Sequence, residues 1–125
     1  MAKDEQIAKA VNSLTSDAAD DAKADAATAL GDLACNNPPN QDAIAQAGAI
    51  PPLIALVMDG PEKSKFQAAW ALHLLALDNA ANAQRIVAAG AVEPLEAMAA
   101  SGSLIAADFA RAALRVLQAA EPLGS

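Results

Sequence analysis

The side chains that could do chemistry in this sequence are few and widely spaced. His73 is the only histidine and Cys35 the only cysteine, and no Ser, Cys or carboxylate constellation surrounds His73 in the sequence. A Gly-rich phosphate loop, a metal-spaced His/Cys cluster and a nucleophile elbow are missing as well. The sequence therefore predicts a protein that is not an enzyme and holds no cofactor and no metal.

An acidic stripe is the clearest candidate for binding. Asp21, Asp25, Thr28 and Asp32 recur at helical spacing, and Trp70 is the single tryptophan. Carboxylates beside an aromatic ring suit an Arg or Lys side chain, through charge-assisted hydrogen bonds and cation–π contact. The competing interpretation is a solvated helix face, because acidic residues near a helix start stabilise its dipole.

Composition and charge favour some classes of partner over others. Alanine fills much of the 54% hydrophobic share, and strand formers never alternate in period 2, so the predicted fold class is all-α. The net charge of −7 argues against nucleic acid and for a basic partner. No apolar run reaches the roughly 18 residues of a membrane span, and the N-terminus is too polar for a signal peptide. The lone Cys35 favours a reducing, intracellular location, cytoplasmic or nuclear.

A repeat of 42 residues organises the elements that must position these side chains. The segment Ile44–Ile50 resembles Ile86–Val92, and the same step relates Leu30, Leu72 and Leu114. The step continues through the next helix without insertion or deletion. A sustained period in the range of roughly 40–47 residues is typical of helical solenoid repeats.

Each repeat is predicted to hold three helices. In the middle repeat a short helix at 40–47 ends at Gly48, whose freedom at positive φ suits a helix C-terminus. A second helix starts near Pro51 and Pro52, because proline fits the first turn, and a longer third helix spans 62–77. The other main predicted helices span 4–15, 18–34 and 104–119.

Two segments of the middle repeat resemble the armadillo repeat family. Residues 47–56 resemble that family's turn into its second helix, and residues 68–76 resemble its third helix. The two-helix HEAT repeat is the competing assignment, and the breaks at Gly48 and Gly90 favour armadillo. The resemblance implies a right-handed α-solenoid of stacked three-helix repeats, whose third helices line a concave groove for extended peptides or partner proteins.

The predicted organisation is a single domain over residues 1–122. Its repeats lie at about 1–35, 36–77 and 78–119, and the first lacks its short helix. Residues 123–125 are interpreted as a cloning remnant. The function that the resemblance implies is a non-enzymatic scaffold that binds a protein or an extended peptide.

The resemblance also implies which side chains face the groove. In family members that bind extended peptides, Trp occupies the position of Trp70 and Asn the position four residues later, which is Leu74 here. Leucine cannot hydrogen-bond a peptide backbone, so recognition of the nuclear-import kind is not predicted. The predicted groove residues are Asp25, Thr28, Asp32, Phe66, Gln67, Trp70, His73, Leu74, Phe109, Ala112, Arg115 and Val116.

Two further alternatives stay open at the level of the sequence. Phe66 and Trp70 could pack between repeats instead of binding a partner. Ile105, Phe109 and Val116 have no obvious cover, although terminal repeats normally carry a polar outer face. The competing hypotheses are a homodimer through this apolar C-terminal face, a natural or engineered piece of a longer array, and a helix that folds back.

Overall fold

The computed structural model describes residues 3–15, 19–101 and 103–119, which contain helices and turns but no strand. The helices are α1 (Lys3–Thr15), α2 (Asp20–Ala34), α3 (Pro38–Gln46), α4 (Ile50–Asp59), α5 (Glu62–Ala76), α6 (Ala80–Ala88), α7 (Val92–Ser101) and α8 (Leu104–Ala119). The all-α prediction is confirmed, and the predicted helices are present with ends shifted by at most about two residues. None of these helices alone is long and apolar enough to cross a membrane. Only α3 and α4 taken together, bent by 79° at their break, match that length and composition.

The two short helices, α3 and α6, begin at asparagine caps. The side-chain oxygen of Asn37 accepts a hydrogen bond from the backbone N–H of Asn40 at 3.1 Å, and Asn79 does the same for Asn82 at 3.1 Å. Such a cap satisfies a backbone donor that the first turn of a helix leaves free. The sequence places the start of α3 at residue 40, and the cap moves it to Pro38.

Four residues with positive φ mark the turns on either side of the short helices. Asn36 and Asp78 precede α3 and α6 at φ 53° and 56°, and Asn and Asp tolerate this region better than most residues. Gly48 and Gly90 follow them at φ 89° and 92°, where a Cβ would meet nothing within 4 Å. The backbone angle, not crowding, therefore requires glycine at these two positions.

One buried asparagine joins each short helix to the long helix before it, Asn40 for α3 and Asn82 for α6. The Nδ2 of Asn40 donates to the carbonyl of Leu33 at 2.8 Å. The Nδ2 of Asn82 donates to the carbonyl of Leu75 at 3.0 Å and to that of Gln41 at 3.0 Å. These bonds fix the distance between consecutive repeats, because a shift would leave buried carbonyls without a partner.

The hydrophobic core runs along the stack of repeats. Leu30 and Leu72, one repeat apart, are 0% and 1% exposed. Other fully buried side chains are Ile44, Leu53, Leu75, Ile86 and Leu95. The long helices pack side by side, α2 along α5 and α5 along α8, with α1, α4 and α7 each packed against the long helix that follows. The surface formed by α2, α5 and α8 is here named the third-helix face.

Candidate partner-binding surface

All of the predicted groove residues lie on the three long helices. They are Asp25, Thr28 and Asp32 on α2; Phe66, Gln67, Trp70, His73 and Leu74 on α5; and Phe109, Ala112, Arg115 and Val116 on α8. Asp25, Asp32 and Arg115 are exposed, and Leu74 is buried. The others are half-buried, because neighbouring long helices cover one side of each.

The junction between α2 and α5 combines a polar contact with an aromatic one. The hydroxyl of Thr28 donates to Oε1 of Gln67 at 2.8 Å. The ring of Trp70 lies against the backbone of Gly31, where an added Cβ would come within 2.5 Å of Cζ3 of the ring. Trp70 therefore packs between repeats, as one of the two interpretations predicts, and its half-buried ring keeps part of its surface accessible.

Gly31 contributes to this junction, although it is not among the predicted residues. A glycine inside a helix costs about 1 kcal/mol relative to alanine, so its presence there usually has a packing reason. Its position within the predicted 18–34 helix is the signal that could have revealed the close approach of a large side chain.

The junction between α5 and α8 has different contacts. The rings of Phe66 and Phe109 are stacked, with centroids 5.8 Å apart and planes at 10°. Aromatic pairs of this kind contribute about 0.5–1.5 kcal/mol beyond the area that they bury. Both residues therefore serve inter-repeat packing, and both remain half-buried at the surface.

His73 lies at the same junction. Burial lowers the pKa of its imidazole, a backbone hydrogen bond with Ala112 acts in the opposite direction, and the charge of Arg115 lowers the pKa further. Its Nδ1 is buried and has no hydrogen-bond partner among the described residues. Within the described ranges, no group of three His, Cys, Asp or Glu side chains is placed to hold a metal ion.

The acidic side chains of α2 lie apart from Trp70. Asp25 and Asp32 line a groove of about 560 Å³ between α1 and α2, here named the α1–α2 groove. Asp21 is 3.7 Å from Nζ of Lys63 in an exposed ion pair. The sequence groups Asp25, Asp32 and Trp70 in one small acidic groove. In the structure the two carboxylates line the α1–α2 groove, while the ring packs between α2 and α5.

Comparison with known proteins bears on the identity of the repeat. A family model described as Armadillo/beta-catenin-like repeat matches residues 37–77. A designed armadillo repeat protein superposes with a TM-score of 0.81 at 29% identity, over 89% of this chain and 46% of its own. Another, designed for modular peptide recognition, gives 0.81 at 27% identity, over 88% and 46%. A third, in complex with the peptide (KR)4, gives 0.81 at 26% identity, over 91% and 52%.

Residues 37–77 match an armadillo repeat, and the chain as a whole has the fold of armadillo repeat proteins. The predicted right-handed solenoid of stacked three-helix repeats is confirmed. This armadillo chain spans about half the length of the solved structures that it matches. A search of curated proteins finds none that matches it.

The outer side of α8 in this armadillo protein is polar. Ala27 and Ala69, at one position of the repeat, are both fully buried, whereas Arg111 at the same position is exposed. Its guanidinium lies 3.7 Å from the carboxylate of Asp108, which is also exposed, as is Arg115. The apolar C-terminal face predicted from Ile105, Phe109 and Val116 does not include this side of the helix.

The three residues predicted for self-association have different surroundings. Ile105 is 61% exposed. Phe109 is stacked on Phe66, and Val116 is half-buried against the core. The expectation that all three lack cover is therefore wrong for Phe109, which is covered by Phe66 of α5, and for Val116, which is partly covered by the core.

Proposed function

We propose that this armadillo protein is a scaffold that binds an extended segment of a partner protein on its third-helix face and performs no chemistry of its own. The observation that carries the proposal is the accessible part of the Trp70 ring, held between two helices beside the polar pair Thr28 and Gln67. An aromatic ring fixed by packing and flanked by polar groups is typical of residues that dominate binding energy. A designed armadillo repeat protein, 26% identical to this chain, is in complex with a peptide, which supports a peptide as the ligand.

Charge favours a basic segment over an acidic one. The chain carries a net charge of −7, and Asp25 and Asp32 are exposed on α2, at the edge of the third-helix face. Such a surface attracts Lys and Arg side chains and repels nucleic acid. A cytoplasmic or nuclear location stays part of the proposal, because the exposed thiol of Cys35 suits a reducing compartment.

The single tryptophan makes the proposal directly testable. Because Trp70 is the only Trp and the chain has no Tyr, intrinsic fluorescence reports on this site alone. Titration with (KR)4 and with an array of extended peptides is expected to shift the emission of Trp70. Calorimetry on Trp70→Ala is expected to show a loss of affinity of at least tenfold, as for other buried aromatic contacts.

A matched control separates binding from folding. Met58→Ala changes an exposed apolar side chain on α4 and is expected to leave peptide affinity unchanged. If no peptide binds, or if Trp70→Ala changes only the stability, the proposal is wrong.

Self-association through α8 is the alternative function. It now depends mainly on Leu104 and Ile105, which are exposed, and two adjacent side chains are far less than a stable dimer interface needs. Light scattering over a range of protein concentrations tests it: a constant monomer mass favours the scaffold, and a dimer that Ile105→Asp abolishes favours assembly.

A further inference from the structure

The α1–α2 groove occupies the position that, one repeat later, is covered by another helix. Ala22, Ala29 and Leu33 lie along it and are half-buried or exposed. The residues at the same positions of α5 are Ser64, Ala71 and Leu75, which are fully buried. The same kind of surface is therefore covered in the second repeat and open in the first.

The second repeat shows what covers it. The Oγ of Ser64 lies within hydrogen-bond distance of the carbonyl of Asp20, and Gln67 accepts a hydrogen bond from Thr28. Both partners belong to α2, which packs along α5 over most of its length. A helix laid beside the long helix is thus the occupant that this surface accepts within the chain itself.

The covering helix presents small residues to its neighbour. On α2, Ala24, Ala27 and Gly31 are all buried, and Gly31 lies against Trp70. Helices approach to about 8–10 Å when the side chains at the contact are small. An occupant of the α1–α2 groove needs a comparable stripe, because alanines, among them Ala26 and Ala29, line the groove.

The rim of the groove differs in charge from its counterpart in the second repeat. Asp25 stands where α5 has Gln67, and Asp32 stands where α5 has the buried Leu74. Both carboxylates are exposed. A helix seated in the groove would therefore be favoured by cations along the edge that meets these carboxylates.

We propose that the α1–α2 groove binds an amphipathic α-helix of a partner protein, with Ala and Gly facing the groove and Lys or Arg reaching Asp25 and Asp32. The groove shares α2 with the third-helix face but lies on the α1 side of that helix, whereas Trp70 packs on its α5 side, and it takes a helix instead of an extended segment. The inference therefore holds whether or not the proposed peptide binding is correct.

A second copy of this chain fits the groove poorly. Suppose that α8 of another molecule packed on α2 in the way that α5 packs on α8. Asp108 would then stand in the place of Phe66, and Asp25 would stand in the place of Phe109. Two like charges would then meet. In that arrangement Arg111 would take the repeat position at which Ala27 and Ala69 are fully buried.

The test uses a synthetic helical peptide and the full chain labelled for NMR. The probe has about 18 residues, enough to match α2 at ~1.5 Å per residue, with Ala facing the groove and Lys along one edge. Titration is expected to shift the amide signals of Lys9, Ala29 and Leu33, while those of Gln67 and Phe109 stay in place. The same peptide with two central prolines is expected not to bind, because it cannot form the helix.

Two variants locate the site. Ala29→Arg fills the groove from an exposed position and is expected to weaken binding at least tenfold, whereas Ala88→Arg, an exposed control on α6, leaves it unchanged. The double variant Asp25→Asn, Asp32→Asn is expected to weaken binding about three- to tenfold, an effect that salt reduces. Unchanged affinity in Ala29→Arg, shifts confined to α5 and α8, or self-association of the chain alone that Ala29→Arg abolishes would each overturn the proposal.

Discussion

The two junctions between long helices have the same register and different contacts. Between α2 and α5, Thr28 bonds Gln67 and the ring of Trp70 lies on Gly31. Between α5 and α8, Phe66 stacks on Phe109. By contrast, the caps, the positive-φ turns and the buried asparagines recur at a spacing of 42 residues, with Asp78 in place of Asn36 as their only change. The short helices and turns therefore hold the register, which leaves the long-helix contacts free to vary.

The largest expected effect tests the core that both junctions share. Leu72→Ala removes a side chain that is 1% exposed, and we expect a loss of about 2–5 kcal/mol in the free energy of unfolding. Leu114 occupies the same position of α8 and is half-buried, so Leu114→Ala is expected to cost clearly less. Urea unfolding followed by circular dichroism measures both. Equal losses would mean that α8 is covered as fully as α5.

The next effect tests what holds the register. Asn82→Ala leaves the buried carbonyl of Leu75, at the end of α5, without a donor. It also removes a second bond on the carbonyl of Gln41, and we expect a cost of about 2–4 kcal/mol. Asn40→Ala removes a single such bond and is expected to cost about 1–2 kcal/mol. Chemical denaturation gives the two values. A larger loss for Asn40→Ala would contradict this assignment of the bonds.

The third prediction concerns only the junction between α2 and α5. In Gly31→Ala the new Cβ collides with Trp70, which costs about 1–3 kcal/mol, and the gain in helix propensity returns about 0.5–1 kcal/mol. We expect a net loss of about 1–2 kcal/mol, with a shift in Trp70 emission. In the background of Trp70→Leu the same change is expected to stabilise the protein, and a double-mutant cycle measures the difference.

The smallest effect concerns the second junction and depends on pH. The pKa of His73 is lowered in the folded protein, so the unfolded chain binds the proton more tightly. The contribution of His73 to stability is therefore complete above the ordinary value of 6.5 and is lost as pH falls toward the lowered pKa. The melting temperature of the wild type is expected to fall relative to that of His73→Gln as the pH is lowered from about 7.5 to about 5. Parallel curves would contradict the buried position of the imidazole.

The sequence predicts those features that depend on the order of residues along one helix. Gly48 and Gly90 mark helix ends, and Leu72 is assigned to the core, because both follow from backbone angles and from the 3.6-residue period. The stacking of Phe109 on Phe66 depends instead on how two helices are rotated and shifted against each other. The spacing along one helix does not contain that rotation, so Phe109 is predicted to lack cover when α5 covers it.

The same limit explains the acidic residues. Asp25 and Asp32 share a helical stripe with Thr28, and the sequence assigns all three to one groove. Thr28 contacts α5, whereas the two carboxylates line the groove with α1, because the stripe is wide enough to reach both neighbours. A prediction from one helix does not divide such a stripe between two partners.

The contact of Trp70 with Gly31 also limits how such an array can evolve. One repeat later, the same two positions hold Ala112 and His73, and the imidazole of His73 lies near the backbone of Ala112, so the large and small partners are exchanged. A tandem duplication of residues 36–77 would set a tryptophan against His73, where the chain has no glycine to receive it. Repeats of this protein are therefore not interchangeable units. A repeat gained by duplication therefore needs a compensating substitution at this contact, which links the sequence of each repeat to that of its neighbour.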